Sequence, residues 1–526
     1  MTTTSANTER AVVLGGGIAG LCTALALASR GLEVQVLERD PPPPEGDAEQ
    51  AFHAWPRRGA AQFRHPHAFL GLMCNLLQDN YPDLLDAFYA AGARRLDFQE
   101  MLSAELEDRY RPAPGDERLW VLLCRRATIE TVLRRYVSAL PNVTITTGIH
   151  IDGLVTEPGG ARPRARGFAV RRDCTERFGE RIDGDLLIDA SGRMTKGPRW
   201  LDAQGLEVRE ESDDAEIVYY TRHYRLNPGF VEPPRGGKDR SAGDLGYIKF
   251  GVFPGDNGNF AIIVCLHRIE TQLRDTIKTS AGFDAVCRAI PGLAPWLKPE
   301  AITPTTEAFG IGDIRAVWRH YAPDDEPLLD NYFAVGDASL RTNPLYGRGC
   351  STGILHAHIL ADVIAEHRDP RERALRFAQR TETELRPIFS ASLKEDRSGI
   401  ARAVAMAEGR ELEQARGFKA RFALAFGDAL AAAARYNLHV FRGISRTINL
   451  LEAPGAFLKE RKSRWIVLAY MLRGRRRNAA ARLMRGPSRQ EMLAIATAAV
   501  PAAAASAVAP APVPQQSPRD TVAELA

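Results

Sequence analysis

The chain has 526 residues, 45% hydrophobic and 25% charged, with a formal net charge of +4. At roughly 100–200 residues per domain this exceeds one ordinary domain, and a balance so near neutral excludes a protein built to coat nucleic acid. The charge is uneven: Ala456 to Gln490 carries eleven Lys and Arg against one acidic residue, so the remainder is net negative. Seven scattered cysteines show no C-x-x-C spacing, which disfavours a disulfide framework or a zinc site and fits a reducing cytoplasm. Met1–Arg10 lacks the cationic region that opens a signal peptide.

Ala11–Leu14 reads as a buried strand, Ile18–Ser29 as a helix ended by Gly31, and Glu33–Leu37 as a second strand: the opening of a β-α-β unit. Pro41 to Gly59 reads as a long loop. Helices are expected at His67–Leu77, Pro82–Ala91 and Thr128–Ala139, and strands at Val143–Ile151, Gly167–Arg172 and Asp185–Asp189. From Leu201 to about Asp325 aromatic and β-branched runs (Ile217–Leu226, Tyr247–Phe253, Asn259–Cys265) suggest a separate, mainly β, substrate domain. A strand–glycine–helix pattern returns at Tyr332–Ala365, and Arg371–Gln490 reads as helix nearly throughout. Ala494–Pro518 is Ala/Pro-rich with no usable apolar stripe and is expected to be disordered.

Gly15-Gly16-Gly17-Ile18-Ala19-Gly20 is a G-x-G-x-x-G directly after a strand and opening a helix. Gly15 permits the tight turn, Gly17 lets backbone approach a pyrophosphate, and Gly20 lets helix and strand pack closely. Glu38, with Arg39 beside it, ends the next strand, where a carboxylate binds ribose hydroxyls. Alone the glycines could mark an ordinary turn. With strand, helix and Glu38 in place they point to a dinucleotide.

Later segments separate NAD from FAD. Asp185-Leu-Leu-Ile-Asp189-Ala-Ser-Gly192-Arg193 and Gly336-Asp337 through Pro344-Leu-Tyr-Gly347-Arg-Gly349 resemble the FAD-dependent monooxygenase family, which has the glutathione-reductase type of fold. The resemblance implies that Asp337 binds the ribityl chain, and that the Pro344–Gly349 turn starts a helix aimed at the flavin pyrimidine. A helix N-terminus there stabilises the negative charge of reduced flavin. Gln62-Phe-Arg-His65-Pro-His67-Ala resembles the family's stretch near the flavin, and Arg126-Ala-Thr-Ile-Glu130 its helix start, whose Arg126 would contact FAD. The similarity covers roughly Ala11–Ile364 and is greatest to polyether- and polyene-type flavin epoxidases. Related halogenases use a lysine early in the chain; here none precedes Lys196. The histidine that many NADPH-using hydroxylases carry after the Gly-Asp pair is replaced by Ser339, Leu340 and Arg341. The electron donor is therefore left open between NAD(P)H and a separate flavin reductase.

The expectation is an α/β chain with a discontinuous Rossmann-like FAD domain (1–200 and 326–370), a β-rich substrate domain (201–325), a helical C-terminal region (371–490) and a disordered tail (494–526). The resemblance implies a monooxygenase that hydroxylates or epoxidises a hydrophobic small molecule with molecular oxygen, through a C4a-hydroperoxyflavin. No side chain need then be a nucleophile, and no metal is expected. The alternative is an FAD-dependent reductase or desaturase of an isoprenoid-like substrate. A flavin-bearing scaffold without turnover is a third reading. His356 and His358 are read as packed or surface residues, and Cys350 as a small packed residue unless its helix N-terminus activates it. In 456–490 the apolar run Trp465–Leu472 lies among Arg and Lys. Eight residues cannot span a bilayer, which takes about 20. The segment suits either a helix lying peripherally on the inner face of the membrane or one packed on the FAD domain with a solvated basic end.

Overall fold

A computed structural model describes residues 9–234, 239–410, 417–482 and 485–505. Its centre is a five-stranded parallel sheet in the order Tyr332–Ala334, Leu186–Asp189, Arg10–Leu14, Glu33–Glu38, Val143–Thr147. Tyr332–Ala334, Leu186–Asp189 and Arg10–Leu14 are short, largely apolar runs because both of their faces are covered. On one face lie the helices Ile18–Ala28, Arg126–Ser138 and Gly349–Glu366, packed into the largest core. On the other lies an antiparallel sheet of Ile151–Glu157, Arg164–Val170 and Arg181–Asp183. Strand Tyr332–Ala334 returns from far along the chain to the sheet edge, so this sheet is discontinuous in sequence.

The second lobe is a six-stranded sheet running Ala242–Asp244, Ile248–Pro254, Asn259–His267, Ile217–Leu226, Ile302–Pro304, with Phe309–Ile311 beside Ile217–Leu226. Alternating side chains of its three long strands fill a core closed by the helices Thr271–Ile277 and Ser280–Arg288. A three-stranded sheet of Arg209–Asp214, Arg315–His320 and Leu340–Arg341 joins the two lobes. The helix Pro370–Ala407, 38 residues long, crosses both. Beyond it lie the helices Phe418–Tyr436, Leu438–Ile448, Arg461–Leu472 and Arg475–Arg482.

Several expectations are corrected. The loop from Pro41 to Gly59 contains a helix, Ala48–Ala54, capped by the Asp47 side chain, which accepts from Gln50 N at 2.9 Å. The helix expected from His67 starts only at Gly71, because Phe69 makes a strand bridge to Leu122. The strand expected over Val143–Ile151 breaks after Thr147, at Gly148 with φ +72°. The tail is helical from Arg489 to Ala505, with Met492 and Ala496 buried on the second lobe. Small residues one turn apart form an adequate packing stripe there. The part of the expected disorder beyond Ala505 lies outside the described residues.

Candidate FAD site

One cavity of about 380 Å³ runs between the lobes. Every residue singled out for FAD except Gly20 lies on its wall: Gly15, Gly17, Glu38, Arg39, Arg126, Gly336, Asp337, Pro344, Gly347 and Gly349. At one end, Gly15 has φ +108° and a Cβ there would stand 2.5 Å from the Ala190 carbonyl oxygen, so no other residue fits. Gly20 is buried behind it, and its role is packing: a Cβ would fall 1.8 Å from the Gly15 carbonyl oxygen. Gly17 differs. It has φ −80°, and a Cβ there would meet only Arg57 Nη2, at 3.9 Å. The space it leaves open is cavity. Ile18–Ala28 begins here with no acidic residue in its first turn, which suits an anion on its free amides.

Glu38 faces the same end but is already engaged. Its Oε2 accepts from Gly16 N at 3.0 Å and from Arg57 Nη1 at 2.9 Å, and its Oε1 accepts from Asp40 N at 2.9 Å. Arg57 also donates to Asp40 at 3.0 Å and to Glu130 at 2.9 Å. Glu130 in turn holds Arg126 at 2.5 Å. Burial alone would raise the Glu130 carboxyl, but Arg126 and Arg57 hold it below the usual range. The sequence alone does not mark Arg57, yet it ties the Glu38 carboxylate to the helix of Arg126 through Glu130. Its only sequence signal is its place in a Pro/Arg/Gly loop. Arg39 lies at the rim, 3.9 Å from Asp40 and about half exposed.

At the other end, Gly336 and Asp337 follow strand Tyr332–Ala334. Among the described residues the Asp337 carboxylate has no hydrogen-bond partner. Burial pushes it above its usual value, offset in part by Arg341, Arg126 and Arg193. The turn is held from behind by His356. Gly336 N donates to His356 Nδ1 at 3.2 Å, and His356 Nε2 lies 3.0 Å from Thr381 Oγ1. Burial depresses this imidazole to about 3, so it stays neutral with the proton on Nε2. His356 is thus the bracket of the Gly-Asp turn as well as a core residue. His358 meets Tyr81 instead. Gly347 has φ +65° and a Cβ there would stand 2.6 Å from Ala68 Cβ. The helix Gly349–Glu366 then starts with no acid in its first turn and with open space at Gly349.

The histidines of the 62–69 stretch are neutral. His67 Nδ1 donates to His65 O at 2.8 Å and its Nε2 accepts from Arg126 Nη1 at 2.9 Å. Burial and Arg126 keep its value far down. His65 Nδ1 lies 2.9 Å from Thr221 Oγ1 and is lowered to about 4 by burial. Burial raises Cys350 to about 12, so it stays a thiol despite its helix N-terminus. Asp189 is fully buried and builds its own turn, accepting from Ser191 N at 2.9 Å and Tyr332 OH at 3.1 Å.

Past the Pro344 turn the cavity opens into an apolar chamber walled by Tyr219, Phe253, Ile263, Ile311, Ile314 and Leu345. Tyr346 on this wall donates to the buried Asp396 at 2.9 Å, and Asn343 Nδ2 donates to the same oxygen at 2.7 Å. Asn343 Oδ1 accepts from Leu345 N at 3.0 Å and from the Tyr219 hydroxyl. A buried polar network thereby fixes the Pro344 turn between the long helix and the second sheet. Among the described residues no His/Cys/Asp/Glu group could hold a metal.

These residues fit FAD. Two helix N-termini free of acids, a carboxylate with no hydrogen-bond partner among the described residues and a glycine facing open space line one cleft. The sequence profile of a family described as FAD dependent oxidoreductase matches residues 10–100. Protein Rv3254 of Mycobacterium tuberculosis is 31% identical over 238 residues, 42% of this chain and 46% of that protein, so the match spans about half of its length. Among solved structures, the flavin-dependent brominase Bmp2 superposes with a TM-score of 0.55 at 13% identity, over 89% of this chain and all of that one. PqsL, a probable FAD-dependent monooxygenase from Pseudomonas aeruginosa, gives 0.53 at 15% identity, over 77% of this chain and all of that one. The Diels-Alderase PyrE3 gives 0.54 at 15% identity, over 85% of this chain and 81% of that one. Likeness at such identity shows the fold.

Proposed function

We infer that this FAD-binding oxidoreductase is a monooxygenase that hydroxylates or epoxidises a hydrophobic small molecule, with molecular oxygen as co-substrate. Electrons come from NAD(P)H or from a separate flavin reductase. The observation that carries the reading is the apolar chamber continuous with the cofactor cleft. Bound FAD supplies the two-electron redox chemistry and the activation of oxygen. The protein's own residues bind, orient and keep the site dry. The amides at Gly15–Gly17 would hold the pyrophosphate, Glu38 the ribose and Asp337 the ribityl chain. The amides from Gly347 to Gly349 would face the pyrimidine. Tyr219, Phe253, Ile263 and Ile311 exclude water from the reacting centre.

The likeness to a probable monooxygenase and a brominase supports flavin and oxygen chemistry of this kind. Halogenation itself is not favoured. The lysine on the cavity wall, Lys196, is engaged by Asp152 at 3.2 Å. The alternative, a reductase or desaturase of an isoprenoid-like substrate, would use the same cleft. Turnover of a panel of apolar alkenes and phenols under isotopically heavy dioxygen separates the two. Incorporation of one heavy oxygen atom is the expected result. Gain or loss of two hydrogens with no oxygen would transfer the assignment to the reductase or desaturase.

A further inference from the structure

The helix Arg461–Leu472 is amphipathic in an unusual sense. Its inner stripe, Ser463, Val467 and Tyr470, is buried with Ala429, Ala433 and Phe457. Its outer stripe is apolar too: Trp465 is 69% exposed, Leu468 42% and Leu472 82%. Positions i, i+3 and i+7 share one face of a helix, so these three side chains form a single exposed ridge. Arg461, Lys462 and Arg464 flank the ridge at one end and Arg473, Arg476 and Arg477 follow the other, all exposed. Among the described residues none of the six has a carboxylate partner. The nearby acid, Glu460, is drawn to Arg446 at 3.1 Å and His439 at 3.1 Å. The neighbouring helix Phe418–Tyr436 adds Phe418, 83% exposed, and Phe422, 51% exposed, with Lys419 and Arg421 exposed between them.

We propose that the outer face of Arg461–Leu472 docks on an anionic lipid surface, with Trp465, Leu468 and Leu472 entering the headgroup–acyl boundary and the six cations facing lipid phosphates. Charge selects this occupant. A two-fold contact between copies would bring the same cations face to face, whereas an anionic bilayer complements them and accepts the apolar ridge. At about 1.5 Å per residue the helix is too short to cross, and no described helix is long and apolar enough to do so. The helix therefore lies in the surface.

The test is sedimentation of the FAD-loaded protein with vesicles of phosphatidylglycerol and phosphatidylcholine, and with phosphatidylcholine alone. Binding to the anionic vesicles only is expected, weakened at about 0.5 M salt by screening. The variant carrying Trp465→Ser, Leu468→Ser and Leu472→Ser should lose roughly tenfold or more in partition, with flavin content unchanged. Vesicles with brominated acyl chains should quench emission of the parent protein more than that of Trp465→Phe. Failure to bind anionic vesicles, equal binding by the triple variant, or equal quenching of both proteins would overturn the proposal. So would a dimer that the triple variant dissociates without vesicles, which would assign the face to a second copy. None of these readouts depends on turnover, so the monooxygenase reading stands or falls separately.

Discussion

Asp337 is the residue on which the proposed cofactor binding turns most sharply. Its carboxylate faces the cavity without a hydrogen-bond partner, and burial opposes its charge. A hydroxyl donor there removes that cost. Asp337→Ala should therefore weaken FAD affinity by about 10- to 100-fold, the equivalent of a hydrogen bond to a charged group at ~1.5–3 kcal/mol. The melting temperature of the ligand-free protein should barely change. Fluorescence titration of the ligand-free protein with FAD measures it; unchanged affinity would place the ribityl chain elsewhere. His356 acts one step behind. His356→Ala leaves the buried Gly336 N–H without its acceptor, at a cost of about 1–3 kcal/mol of stability. This variant should lower the melting temperature and FAD affinity together. A loss of neither would show that the turn holds itself.

Between elements, the most consequential tie is Arg125 with Asp256. Arg125 precedes the helix Arg126–Ser138, and Asp256 sits in the hairpin between Ile248–Pro254 and Asn259–His267. The Arg125 guanidinium donates to Asp256 at 2.6 Å, its backbone N donates to the same carboxylate at 2.8 Å, and Thr128 Oγ1 donates at 2.8 Å. Asp256 is fully buried. Asp256→Ala would leave a buried guanidinium short of its main counter-charge and should cost ~3–5 kcal/mol, measured by denaturant unfolding. A loss below about 1 kcal/mol, the scale of an exposed pair, would show the tie to be solvated. This pair was not legible in the sequence, because its members stand 131 residues apart. The same holds for Arg57 with Glu130 and for Asn343 with Asp396, 73 and 53 residues apart. Legible features were those whose physics is local. The spacing of Gly15, Gly17 and Gly20 is one turn between strand and helix, and Gly336–Gly349 is another. The strand Ile217–Leu226 is found at the bounds its residues suggest, since β-branched and aromatic alternation is local too. The helices Thr271–Ile277 and Ser280–Arg288 went unread within a segment dominated by strands.

At the scale of the whole molecule, acid should loosen the fold before it reaches the carboxylates. His65 and His223 are lowered by burial to about 4, and His356 to about 3. Their unfolded values lie near 6.5, so the unfolded chain binds more protons once the pH drops below about 6.5. Their contribution is complete above that point and is lost progressively as pH falls towards the folded values. Asp256 and Glu130, held below the usual carboxylate range by Arg125, Arg126 and Arg57, lose theirs only below about pH 4. The melting temperature of the ligand-free protein should thus decline from about pH 6.5 downwards and steepen below about pH 4. A flat profile to pH 4.5 would mean that these imidazoles are hydrated. The proposed function requires that one cleft between the lobes hold FAD. Gly17 tests it most directly, because its missing side chain leaves space that only a ligand would fill: a Cβ there meets nothing nearer than Arg57 Nη2 at 3.9 Å. The decisive measurement is FAD affinity of Gly17→Val beside its unfolding curve. The result expected is an unchanged ligand-free melting temperature with FAD affinity reduced by at least about tenfold, or ~1.4 kcal/mol. A Gly17→Val protein that retains FAD as tightly as the parent would contradict the placement of the cofactor in this cleft.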